Sequence, residues 1–131
     1  MSIPLAPLRL VSGRLAAVGV VHSLGGSGLR RALGEPCEVR DWDLTTDADT
    51  DLVHRALVGL DHRWLPPVDP WVSEAAWSVV LPGASVDVIV RFAVRSGDVV
   101  HRVPTVVTGT WEGVPTGDRE RWADAMARIG R

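Results

Sequence analysis

Two aspartates separated by one residue stand in the apolar-flanked segment Val39-Arg40-Asp41-Trp42-Asp43-Leu44. In an extended chain, residues i and i+2 point to the same face. Asp41 and Asp43 then present two carboxylates side by side, with Trp42 turned away. Asp is depleted in strands because its side chain competes for backbone groups, and two like charges on one face repel. A divalent cation relieves that repulsion, and hard oxygen ligands suit Mg²⁺. Taken alone, the pair reads more simply as two solvent-facing acids at a strand end. A third acid bears on the choice. In Ala-Ser-Val-Asp-Val-Ile-Val, residues 84–90, Val86, Val88 and Val90 share one face, and Ser85, Asp87 and Ile89 share the other. An unpaired charge in an apolar strand is costly. Asp87 therefore needs either a cation or a salt bridge to an arginine such as Arg91 or Arg40.

Upstream lies Leu24-Gly25-Gly26-Ser27-Gly28. A turn at a helix N-terminus exposes unpaired N–H groups at the positive end of the helix dipole, and glycine lets a phosphate approach the backbone. Ser27 adds a hydroxyl. The bland alternative is a tight turn with Ser27 or Gly26 as N-cap. The stretch is no P-loop, since G-K-[ST] is missing and the chain contains no Lys. Nor is it a G-x-G-x-x-G opening a long helix.

The elements that must carry these residues follow from periodicity. Leu8 to Leu15 has helical spacing. Ala17 to Val21 is β-prone and leads into the glycine turn, and a short helix spans Gly28 to Leu33, stopped by Gly34 and Pro36. Glu38 to Leu44 reads as a strand. Asp49 or Thr50 caps a helix reaching Leu60. His62 to Ser73 carries Pro66, Pro67 and Pro70 and reads as a loop or edge strand. Ala76 to Leu81 and Ser85 to Val94 form a hairpin around Pro82-Gly83, and Asp98 to Val107 is a further strand. Trp122, Ala125, Met126 and Ile129 mark a final amphipathic helix over Asp118 to Ile129. This order predicts an α/β (α+β) structure, a mixed sheet flanked by helices.

The 131 residues amount to one domain, 1–131, long enough to bury a core without disulfides. A net charge of −2 supplies no overall basic field for nucleic acid. The single Cys37 excludes a disulfide framework and fits a reducing cytosol. The apolar run Leu15 to Val21 is too short to span a membrane, so the expected location is cytoplasmic.

In combination, Leu24, Gly26 and Ser27, a spacer of about a dozen residues, then Asp41, Asp43 and Leu44, with Asp87 on a later apolar strand, resemble the nucleotidyltransferase signature of the DNA polymerase beta superfamily. The resemblance covers Val18 to Val90, and the tail Gly113 to Arg131 is similar to the closing helix of small bacterial members. It implies a minimal nucleotidyltransferase. Asp41, Asp43 and Asp87 would be catalytic and would hold two Mg²⁺ ions. Gly25, Gly26 and Ser27 would bind the phosphates of a nucleoside triphosphate such as ATP. The acceptor would be a small molecule or a protein side chain, with an RNA end less favoured. A helical partner protein or a second copy would complete the acceptor site. A fold of this kind that has lost activity would instead serve as a partner-binding or antitoxin-like module, with Trp64, Trp71 and the proline-rich loop between them as contacts.

Other readings compete. Asp41 to Thr45 fits the D-x-D-x-T motif of the haloacid dehalogenase family of aspartate phosphohydrolases, but there the motif opens the fold on its first strand. Asp47, Asp49 and Asp51 start like a calcium loop, yet Leu52 stands where Gly is needed and Val58 where the bidentate Glu belongs. They read better as helix N-terminal charges. Arg30, Arg31 and Arg40 could offset triphosphate charge. His22 could touch a phosphate but reads better as a strand-end residue. His54 and His62 have no metal-ligand spacing along the chain.

Overall fold

The computed structural model describes residues 3–131. Helix α1 (Ala6–Ala17) turns Leu8, Val11, Ser12 and Leu15 inward. It ends in a turn through Val18 and Gly19, so the β-prone run that follows starts later than its residue types suggest. Strand β1 is His22–Gly25, not Ala17 to Val21. Helix α2 (Gly26–Ala32) starts directly at its end, so no loop separates strand from helix. Strand β2 (Trp42–Thr46) and helix α3 (Thr50–Ala56) follow, with Asp49 Oδ1 accepting from the N–H of Asp51 at 3.2 Å. The edge strand β3 is His62–Trp64.

The central hairpin is β4 (Ala75–Leu81) and β5 (Ala84–Val90). The strand expected to run on to Val94 breaks at Arg91, whose φ is 51°. The chain then makes a separate two-stranded ribbon, β6 (Ala93–Ser96) and β7 (Val99–Arg102). Two short strands, β8 (Gly109–Trp111) and β9 (Val114–Thr116), precede helix α4 (Arg119–Arg128), capped by Asp118.

The main sheet has the order β3-β4-β5-β2-β1-β9-β8. It is mixed as expected: β2 runs parallel to β5 and β1 parallel to β9, and the other neighbours are antiparallel. Alternation divides its side chains between two faces. Leu24, Leu44, Trp77, Val86, Val88 and Val90 form the core with Leu8, Val11, Leu15, Val53 and Leu57. Trp42 is buried there too, its indole N–H donating to the Pro4 carbonyl at 2.9 Å. His22 lies on the same side. Its Nδ1 donates to the Val20 carbonyl (2.9 Å), which leaves Nε2 to accept from the Ser12 hydroxyl (2.7 Å). Burial lowers its pKa, and the ring is out of reach of any phosphate at the turn.

The other face carries a smaller apolar group around Phe92, Val94 and Ala125, joined by Trp71, Ile89, Trp122 and Met126. It covers only part of that face. The uncovered part holds the aspartates.

Candidate active site

Strand register places the acids. In one row across five strands stand Arg63, Ser78, Asp87, Asp43 and Gly25, each paired with the next. Asp43 and Asp87 are direct partners in the parallel β2–β5 ladder. Asp41 precedes the first residue of β2 rather than lying within a strand from Glu38, and its side chain still joins the pair. One carboxylate oxygen from each of Asp41, Asp43 and Asp87 lies within 4.8 Å of the others. Residues distant in sequence thus meet because β5 returns beside β2.

Among the described residues no ion pair engages these three acids. Arg91, a sequence candidate for neutralising Asp87, pairs with Glu74 instead. The consequence is mutual repulsion. Burial first, then the charges of Asp41 and Asp87, raise the Asp43 pKa well above the usual carboxylate range. Asp87 is pushed up to about 6 by burial and by Asp41, against the opposing pull of the Ser78 hydroxyl and the Arg63 cation. Three convergent hard oxygen donors with no cation paired to them suit a hard divalent ion such as Mg²⁺.

The glycine turn faces the same point. Gly26 has φ +60°, and a Cβ built there would sit 2.5 Å from Asp43 Oδ2. Any side chain would press on the carboxylate, and the left-handed conformation disfavours one in any case. Gly25 is covered by the Trp122 indole, which occupies the space a Cβ would need. Close approach of α4 therefore depends on Gly25, and the position reads more directly as packing than as a phosphate contact. Gly26 and Ser27 border a recess of about 450 Å³ that Arg30, Arg119 and Arg131 also line. Arg119 is held by Glu35 through two hydrogen bonds of 2.6 and 2.9 Å.

On the other side of Gly26 a cleft of about 440 Å³ contains Asp41, Asp43 and Asp87. Its far wall is apolar: Leu65, Pro66, Pro67 and Val68 from the segment after β3, with Trp71, Phe92, Trp122 and Met126. Phe92 stacks between Trp71 (centroids 6.3 Å, planes 23° apart) and Trp122 (4.6 Å, 20°). The sequence singled out Trp71 and the proline-rich segment before it as candidate contacts, but it held no signal for Phe92, Trp122 and Met126, which join the wall only through the break at Arg91 and the packing of α4. Trp64, by contrast, lies half-exposed against Trp77.

Two acids of the segment after β2 have structural tasks. Asp47 Oδ2 accepts from the N–H of Thr105 at 2.8 Å, and Asp49 caps α3. The D-x-D-x-T segment lies on the second strand of the chain, which pairs antiparallel with the first, so it does not open the fold as the phosphohydrolase motif does.

No family model matches the chain, and no curated protein matches it. Solved structures do. A Thermotoga maritima protein provisionally described as a nucleotidyltransferase superposes with a TM-score of 0.72 over 97% of this chain and 84% of that one, at 23% identity. ANT(2")-Ia, solved in complex with adenylyl-2"-tobramycin, superposes with a TM-score of 0.60 over 90% of this chain and 71% of that one, at 13% identity. The fold is therefore the nucleotidyltransferase fold.

Proposed function

We propose that the chain is a nucleotidyltransferase that moves a nucleoside monophosphate from a nucleoside triphosphate to a hydroxyl acceptor. The observation that carries this reading is the convergence of Asp41, Asp43 and Asp87 opposite the Gly26 turn, in a fold shared with the two solved structures.

In this reading Asp41, Asp43 and Asp87 would hold two Mg²⁺ ions, which would supply charge stabilisation for an in-line displacement. Asp41 and Asp43 would position the metal-bound triphosphate, and both would have to be ionised to do so. The backbone at Gly26 and the Ser27 hydroxyl hold the distal phosphates, with Arg30 and Arg131 bordering them, while Gly25 admits Trp122 against the turn. The acceptor oxygen bonds to the α-phosphorus, and the bond from that phosphorus to the bridging oxygen breaks. Pyrophosphate leaves, and the acceptor proton passes to Asp87 and then to solvent. The apolar cleft wall orients the base or the acceptor and limits water. The acceptor is a small molecule or a protein side chain, completed where necessary by a helical partner or a second copy.

Calorimetric titration with a nucleoside triphosphate, with and without Mg²⁺, tests the reading. Metal-dependent binding in the parent and its loss in Asp41→Ala plus Asp43→Ala is the expected result. Tight binding indifferent to both metal and substitution sinks it.

A further inference from the structure

We propose that His54 and His62 form a second metal site, distinct from the aspartate cluster, that takes a transition ion of the Cu(II) or Ni(II) class. Along the chain the two histidines are eight apart and carry no ligand motif. The fold brings them together, because the turn after α3 reverses the chain into the edge strand β3. Their Nε2 atoms lie 3.0 Å apart. Metal–imidazole bonds are about 2.0–2.1 Å, so one ion bonded to both nitrogens at a 3.0 Å separation subtends an angle of roughly 90°. That is the angle of adjacent ligands in a tetragonal Cu(II) or Ni(II) site.

The outer contacts fit as well. His62 Nδ1 lies 2.7 Å from the Leu60 carbonyl, and a carbonyl only accepts, so Nδ1 carries the proton and Nε2 carries a lone pair. A backbone carbonyl on the second ring nitrogen is the usual outer-shell arrangement of a metal-bound histidine. His54 then donates from Nε2 in the metal-free protein, and on metal binding its proton moves to Nδ1 with no net release. The His54 ring is held flat on Trp77, with centroids 5.1 Å apart and planes 2° apart, and its Nε2 faces His62. His54 is exposed and His62 half-buried, which leaves room for water on the remaining positions. An ion here ties α3 to β3. The same strand carries Arg63 of the aspartate row and leads into Leu65 and Pro66 of the cleft wall.

The test is titration of the full chain with CuCl₂ in excess Mg²⁺, which keeps the carboxylates occupied with a hard ion. Tryptophan emission is the readout, since Trp77 stacks on a ligand and Trp64 meets Trp77 edge-on. One equivalent of Cu(II) quenches the parent and raises its melting temperature. His54→Ala and His62→Ala each lower the affinity at least tenfold, while His101→Ala and Asp41→Ala plus Asp43→Ala leave it unchanged. His54→Gln keeps a hydrogen-bonding side chain but cannot complete the chelate. It should retain the parental melting temperature in chelator and still lose the ion. Equal Cu(II) affinity in parent and His62→Ala overturns the proposal, as does loss of that affinity in the aspartate variant.

Discussion

Replacing Asp87 with Asn removes one of three crowded negative charges and keeps the side-chain shape. In the metal-free protein this should stabilise the fold. The carboxyl has a pKa of about 6 in the structure against 3.8 unperturbed. That difference corresponds to about 3 kcal/mol of preference for the protonated form. Asp87 keeps part of its surface in the cleft, so solvent screening reduces the figure to roughly 1–2 kcal/mol. The pH dependence has a definite sign. A pKa raised in the folded state contributes stability that is full below pH 3.8 and is lost as pH rises through about 6. The variant should therefore melt close to the parent near pH 4 and above it at pH 7.5, by roughly 3–8 °C for a chain of this size. Differential scanning calorimetry in chelator, at half-unit steps from pH 4 to 8, follows the divergence. Saturating Mg²⁺ should then raise the parent and barely move the variant. A variant that melts below the parent at pH 7.5, or a gap independent of pH, refutes the reasoning. Either result means that Arg63 and the Ser78 hydroxyl stabilise the Asp87 carboxylate more than burial and Asp41 destabilise it.

Three further substitutions separate site from scaffold. Gly26→Ala should lower stability by about 1–2 kcal/mol from the left-handed backbone alone, and should weaken Mg²⁺-nucleotide binding at least tenfold through its contact with Asp43; calorimetry measures both. Gly13 sits exposed in α1 with nothing within 4 Å of a built Cβ, so Gly13→Ala should instead stabilise by about 0.5–1 kcal/mol and leave nucleotide binding unchanged. Asp49→Ala removes the α3 cap and should cost about 1 kcal/mol by urea denaturation, with no effect on metal binding.

The aspartate site was legible because its chemistry violates local preference. Two acids two apart and a third inside Val-Asp-Val need a physical reason wherever the strands lie. Strand positions were less legible, and the reasons are local. Ala17 to Val21 has β-prone residues, but α1 runs on through Ala17 and the chain turns at Gly19, which moves the strand to His22–Gly25. Ser85 to Val94 reads as one strand, yet Arg91 takes a left-handed conformation and sends Phe92 to the cleft side. Strands β8 and β9 are three residues each and too short for any alternation to register. What depends on register has no sequence signal at all. The row from Arg63 to Gly25, the Trp71–Phe92–Trp122 stack and the meeting of His54 with His62 all arise from pairing across the sheet or packing onto it.

The most direct measurement is a crystal structure of the full chain with Mn²⁺ and a non-hydrolysable nucleoside triphosphate, with anomalous scattering used to locate the metal. Manganese peaks between the Asp41, Asp43 and Asp87 carboxylates, with the distal phosphates against Gly26 and Ser27, are the expected result. Nucleotide bound elsewhere, or those carboxylates without manganese at millimolar concentration, would contradict the proposed site.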